Sequence, residues 1–89
     1  MANKRSLKRV ISLICDELFT EAIAASLYGN DKHQANAEAL LFSIVKLESE
    51  YIKRISHVEP GLKPALYFKD LREKFNAEVS DIIDQINAL

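Results

Sequence analysis

Eighty-nine residues, 48% apolar and 28% charged, with 2 Gly, 2 Pro, 1 Cys and a formal net charge of −1, suffice for a single helical domain over residues 1–89 and no more. This composition excludes a collagen-like or low-complexity chain, a disordered one, and a disulfide scaffold or multi-cysteine zinc module. No run of about 18 apolar residues is present, so no membrane span is expected.

The chain opens on the basic stretch Met1-Ala2-Asn3-Lys4-Arg5-Ser6, but Leu7 to Leu18 is broken by Lys8, Arg9, Ser12, Asp16 and Glu17. That stretch lacks the uninterrupted apolar region of an export signal, so the expectation is the mature chain of a cytoplasmic protein. Lone Cys15 falls among apolar residues and is expected to fill the core rather than act in redox chemistry. Gly29 and Gly61 then divide the chain into three segments. Apolar residues recur in each at three or four positions, which predicts helices over about 6–28, 32–56 and 65–88.

The first helix presents Leu7, Val10, Ile11, Ile14, Leu18, Ala22 and Ala25 inward. Asn3 and Ser6 are both candidates to cap its start, and Gly29 is suited to close it in the left-handed conformation. The second begins with Asp31 and Gln34 at capping-box spacing and buries Leu40, Leu41, Ile44, Leu47, Tyr51, Ile52 and Ile55. Pro60 ends it. In the third, Phe68, Leu71, Phe75, Val79, Ile82, Ile86 and Leu89 form a narrow apolar seam, and Pro64 suits a first helical position. The links are short, so sequential helices lie antiparallel. The expected fold is all-α, an up-down-up antiparallel three-helix bundle.

Taken together, Lys4-Arg5-Ser6-Leu7-Lys8-Arg9, Ala24-Ala25-Ser26-Leu27-Tyr28-Gly29, Arg54-Ile55-Ser56-His57 followed by Pro60-Gly61, and Ile82-Ile83-Asp84-Gln85-Ile86-Asn87 give a chain that resembles small all-helical proteins of Bacteroidetes-type bacteria. The resemblance implies a bacterial, cytoplasmic chain. It implies no activity and assigns no functional residue.

No catalytic, cofactor or metal motif is present, and the protein is expected not to be an enzyme and to hold no cofactor and no metal. There is no glycine-rich phosphate loop. His33 and His57 lie at opposite ends of the second helix, not at zinc-binding spacing. Each is about a dozen positions, roughly 18 Å, from the level of Cys15, too far for a thiol–imidazole dyad.

Three features remain. First, stepping 100° per residue places Glu48 among inward apolar residues. Folding the third helix back about residue 60 puts Arg72 at its height, with Ser12 and Lys8 near. A buried Glu48–Arg72 pair is therefore expected, as a register-fixing ion pair or as the floor of a small polar site. Second, charge is polarised. Lys4, Arg5, Lys8, Arg9, Lys53, Arg54, Lys63 and Lys69 gather at one end against Glu50, Glu59 and Asp70, a balance of +5. Glu17, Glu21, Asp31, Glu38, Glu78, Asp81 and Asp84 gather at the other against Lys32, a balance of −6. Lys4, Arg5, Lys8, Arg9, Lys53, Arg54 and Lys63 form the candidate basic patch, able to meet nucleic acid or another polyanion, although the pI of about 6.1 is low for a dedicated binder. Third, Leu13, Thr20, Ala24 and Leu27 make an apolar stripe on the outer side of the first helix. Phe42, with Ala35 and Ala39 near it, and Tyr67 also project outward. Leu13, Thr20, Ala24, Leu27 and Phe42 are the candidate interface. The expected function is a small cytosolic helical interaction module that forms a homo-oligomer or binds a helical protein partner. Polyanion binding by the basic end is the alternative, and no membrane partner is expected.

Overall fold

In a computed structural model, residues 4–27, 31–58, 61 and 63–89 are described. Three α-helices follow one another: α1 (Lys4–Ser26), α2 (Asp31–Ser56) and α3 (Pro64–Asn87). They pack as an all-α, up-down-up bundle in a rod of 49 × 18 × 17 Å. At 1.5 Å per residue α2 alone is about 39 Å long, so each helix runs most of the length of the rod.

α1 begins at Lys4, which places Ser6 inside its first turn and not at the N-cap. The other candidate cap, Asn3, and the closing Gly29 lie outside the described residues, as do Pro60 and the side chain of Asp31 in the capping box. α3 starts as expected, with Pro64 at its first position. Lys63 before it is extended (φ −68°, ψ 127°) and gives no side-chain cap, because the residue preceding a proline is pushed out of the helical region. Gly61 takes φ +87°, a conformation that disfavours a side chain.

One continuous core joins the three helices. Leu7, Ile11, Cys15, Leu18 and Ala22 enter it from α1; Ala37, Leu40, Ile44, Leu47, Tyr51 and Ile55 from α2; Leu71, Phe75 and Ile82 from α3. Cys15, 2% exposed, occupies a core position on the flank of α1 that meets α2. Val10, expected inside, is 49% exposed, and Ile14 is half-buried. The reason is that α1 turns its buried stripe towards α2, with which it packs most closely, and leaves its α3-facing flank partly open. Leu41, Ile52, Phe68, Val79, Ile86 and Leu89 are half-buried against the core.

The register of α3 differs from a tight fold about residue 60. Leu47 and Glu50 share a recess with Glu78 and Ile82, and Ser43 shares it with Gln85. Residues near 80, not 72, therefore stand level with Glu48. The shift is about eight positions, roughly 12 Å. α2 ends at Ser56, and α3 begins at Pro64, after the extended Lys63, beyond the end of α2.

Candidate interaction surfaces

This offset removes the expected buried ion pair. Arg72 is exposed and Glu48 only half-buried, and among the described residues no charged one belongs to the core. The two side chains also occupy different grooves. Glu48 lines a recess of about 180 Å³ between α1 and α2 with Cys15, Asp16, Phe19, Ile44 and Val45. Arg72 lines one of about 90 Å³ between α1 and α3 with Leu7, Val10, Ile11 and Phe75. The lengthwise shift of α3 separates the two in height, and they lie on opposite flanks of α1, Glu48 beside Cys15 and Phe19 and Arg72 beside Leu7 and Val10. Ser12 and Lys8, each half-buried, have no shared carboxylate to join.

The polar contact that does cross the core face is one that the sequence pattern hides. Tyr51, 1% exposed, sends its hydroxyl out between α2 and α3, where the O–H donates to Glu78 Oε2. Its ring stands edge-on to Phe75, with centroids 5.1 Å apart and planes at 65°, and the Arg54 guanidinium lies 4.7 Å over it. Burial, then the Glu78 carboxylate, pushes the Tyr51 hydroxyl up to about 12, against the opposing influence of Arg54. Period counting marks Tyr51 as core, and nothing in it shows that Glu78 arrives one offset later. Tyr67 also departs from expectation. It packs against the core, its hydroxyl donates to the Arg54 carbonyl at 2.9 Å, and its ring meets Phe68 edge-on at 5.5 Å.

Cys15 is held as a neutral thiol. Burial, and then the Glu48 and Asp16 carboxylates beside it, raise it to about 11, which suppresses the thiolate that nucleophilic chemistry requires. His33 lies elsewhere, its Nε2–H donating to the Ala25 carbonyl at 2.8 Å across the start of α2. Among the described residues no group of three or more His, Cys, Asp or Glu side chains gathers as a metal site. No helix is long and apolar enough to cross a membrane.

The α3 offset redistributes the charge. Lys69, Arg72 and Lys74 now stand beside the end of α2 and the start of α1, with Lys4, Arg5, Lys8, Arg9, Lys53, Arg54 and Lys63. Ten of the twelve Lys and Arg residues thus occupy one end, against Asp70 and Glu73 among the described residues, a balance of +8. The other described residues sum to −8. Glu78 and Asp81 move from the far end to mid-rod, facing Lys46 and Glu50 across the α2–α3 groove. Lys74 pairs with Asp70 at 2.9 Å, both largely exposed. No other Lys or Arg at this end has an ion-pair partner among the described residues. α1 and α3 both start here without an acidic residue in the first turn. Their dipoles therefore oppose the cations, by about 0.3–1 kcal/mol for a well-placed charge. Only α2, ending in Lys53 and Arg54, has the favourable sign.

All five candidate interface residues are exposed, Leu13 at 61%, Leu27 at 70% and Phe42 at 72%. The structure adds two apolar residues that a single-stripe reading omits, Ile23 and Val45. Phe19 and Val45 line one recess between α1 and α2. One turn on towards the C-terminus of α1 is Ile23, and one turn back towards the N-terminus of α2 is Leu41. The helices are antiparallel, so both steps run the same way along the rod, and Leu27 continues the row. Ile23 is 42% and Val45 55% exposed. Sequence reasoning missed them because each lies on the flank of its own helix, and only packing brings the two flanks together.

Comparison with protein-family models, with curated proteins and with solved structures finds no match.

Proposed function

We propose that the protein is a small, non-enzymatic helical interaction module, cytoplasmic and bacterial, that self-associates through the outer face of α1 and α2. The observation that supports this is the exposed apolar surface of these two adjoining helices: Leu13, Ile23 and Leu27 on α1 and Phe42 and Val45 on α2, all between 42% and 72% exposed. Scattered single apolar side chains are ordinary on a surface. Several on two adjoining helices, with the small residues Thr20 and Ala24 among them on α1, suit close packing of another helix. Light scattering at micromolar concentration tests the reading. A mass near 20 kDa is expected, falling to 10 kDa when Leu13 and Leu27 are both replaced by Glu. A 10 kDa mass for the unaltered protein overturns it.

The cationic end favours a second reading, polyanion binding. Apart from Lys74, paired with Asp70, and Arg54, stacked over Tyr51, its cations have no ion-pair partner among the described residues, and those at the starts of α1 and α3 stand against the helix dipoles, a pattern that suits an external anion. Titration with a random oligonucleotide tests this. Association at about 50 mM salt that weakens steeply as salt rises is expected, and no association at that salt removes the reading.

A further inference from the structure

We infer that the occupant of the α1–α2 outer face is a second copy of this chain lying antiparallel to the first, its direction set by the charge polarity of the rod. The inference rests on the self-association proposed above and adds the orientation and the reason for it.

The rod has a direction that its fold does not need. Ten cations crowd one end and the remaining described length is anionic, +8 against −8. Two such rods side by side and parallel set cationic end on cationic end. Turned end for end, each cationic end meets the anionic stretch of the other, and both mismatches become attractions. A two-fold axis through the middle of α1 achieves this with one face of each molecule, the isologous arrangement usual for small homodimers.

The same face carries the apolar row. On α1, Arg5 and Arg9 share the outer side with Leu13, Thr20 and Leu27 at the helical step of 100°. Across a mid-helix axis, Leu13 and Thr20 straddle the two-fold. Arg5 and Arg9 reach the distal part of the partner, where His33 of α2 meets Ala25 of α1 and Glu38, exposed, lies about one and a half turns further along α2. The size is also adequate. One long face of a rod 49 Å by 18 Å covers on the order of 800 Å², the contribution of one partner to a standard stable interface.

The test combines mass, salt and direction. Sedimentation of the intact chain is expected to show a dimer whose dissociation constant rises about tenfold or more between 50 and 500 mM salt, because exposed charge attraction is screened. A nitroxide at Lys63→Cys, with Cys15 buried, is expected to report a label separation near the 49 Å length of the rod. A parallel dimer would bring the labels to within about two helix diameters, roughly 20–25 Å. That short distance, or a dimer indifferent to salt, overturns the antiparallel inference while leaving self-association standing. A chain that stays at 10.1 kDa overturns both. A chain that stays monomeric yet binds an oligonucleotide assigns the cationic end to a polyanion instead. The exposed pair Arg5→Glu with Arg9→Glu leaves the core untouched and is expected to weaken the dimer at least tenfold; unchanged association would contradict the charge argument.

Discussion

Replacing Tyr51 with Phe removes one hydroxyl and leaves the ring in place. The ring is 1% exposed and rests edge-on against Phe75, and both features survive the change. What is lost is the O–H donated to the Glu78 carboxylate. A hydrogen bond to a charged group contributes about 1.5–3 kcal/mol. Glu78 is exposed and regains water when released, so the expected loss sits near the lower limit, about 1–1.5 kcal/mol. For a domain of this size that lowers Tm by about 4–12 °C. Truncation to Ala also removes the ring and should cost about 3–5 kcal/mol. Urea denaturation followed by circular dichroism measures both. A Tyr51→Phe change below about 0.3 kcal/mol would show that the bond to Glu78 contributes nothing, and the account of the α2–α3 contact would fail. The titration of Tyr51 gives a second reading. Its hydroxyl is raised to about 12, by burial first and by Glu78 second, so Glu78→Gln should lower the last tyrosine transition seen by ultraviolet absorbance without returning it to the usual value near 10. The sign for stability follows. The folded state holds the proton more tightly than the unfolded one, so this contribution is fully present below pH 10 and is lost between about pH 10 and 12.

Cys15, buried and raised to about 11, should react with alkylating reagents at pH 8 more than about 100-fold slower than a free thiol, since only an opened state exposes a thiolate; labelling at the free-thiol rate in native buffer would contradict its core position. Gly61→Ala meets no atom within 4 Å, so its expected cost of about 1–2 kcal/mol is backbone strain alone, read as a lower urea midpoint. Arg72→Ala and Glu48→Gln should each change stability by less than about 0.5 kcal/mol. A loss of about 3 kcal/mol in either would reinstate a buried pair.

The three helices and most of the core were legible in the sequence because both follow from local period: a 3.6-residue repeat of apolar residues fixes the buried side of a helix without reference to its neighbours. Leu18, Ile44, Tyr51 and Phe75 are read correctly on that ground. What local period does not carry is the lengthwise shift between helices, which a single link determines. Folding about residue 60 set Arg72 beside Glu48, whereas the extended Lys63 before Pro64 places residues near 80 there. The Glu48–Arg72 pair, the Tyr51–Glu78 bond and the true extent of the cationic end all depend on that one offset. Val10 shows a smaller version of the same effect. It lies at the border of the α1 stripe, and the closer approach of α2 than of α3 leaves it uncovered.

The unequal grip of the three helices also orders how the protein opens. α3 commits three residues to the buried core where α2 commits six, and beyond Tyr51 it is separated from α2 by two adjoining recesses of about 330 and 320 Å³ that share Ser43 and Gln85. Backbone amides in the second half of α3 are thus expected to exchange with solvent through a partial opening, well before those of the α1–α2 hairpin, which wait for global unfolding. Equal protection across all three helices in a native-state exchange experiment would show instead that the bundle melts as one unit. With the order expected here, the hairpin of α1 and α2 is the persistent part of the molecule, and the face assigned to a partner belongs entirely to it.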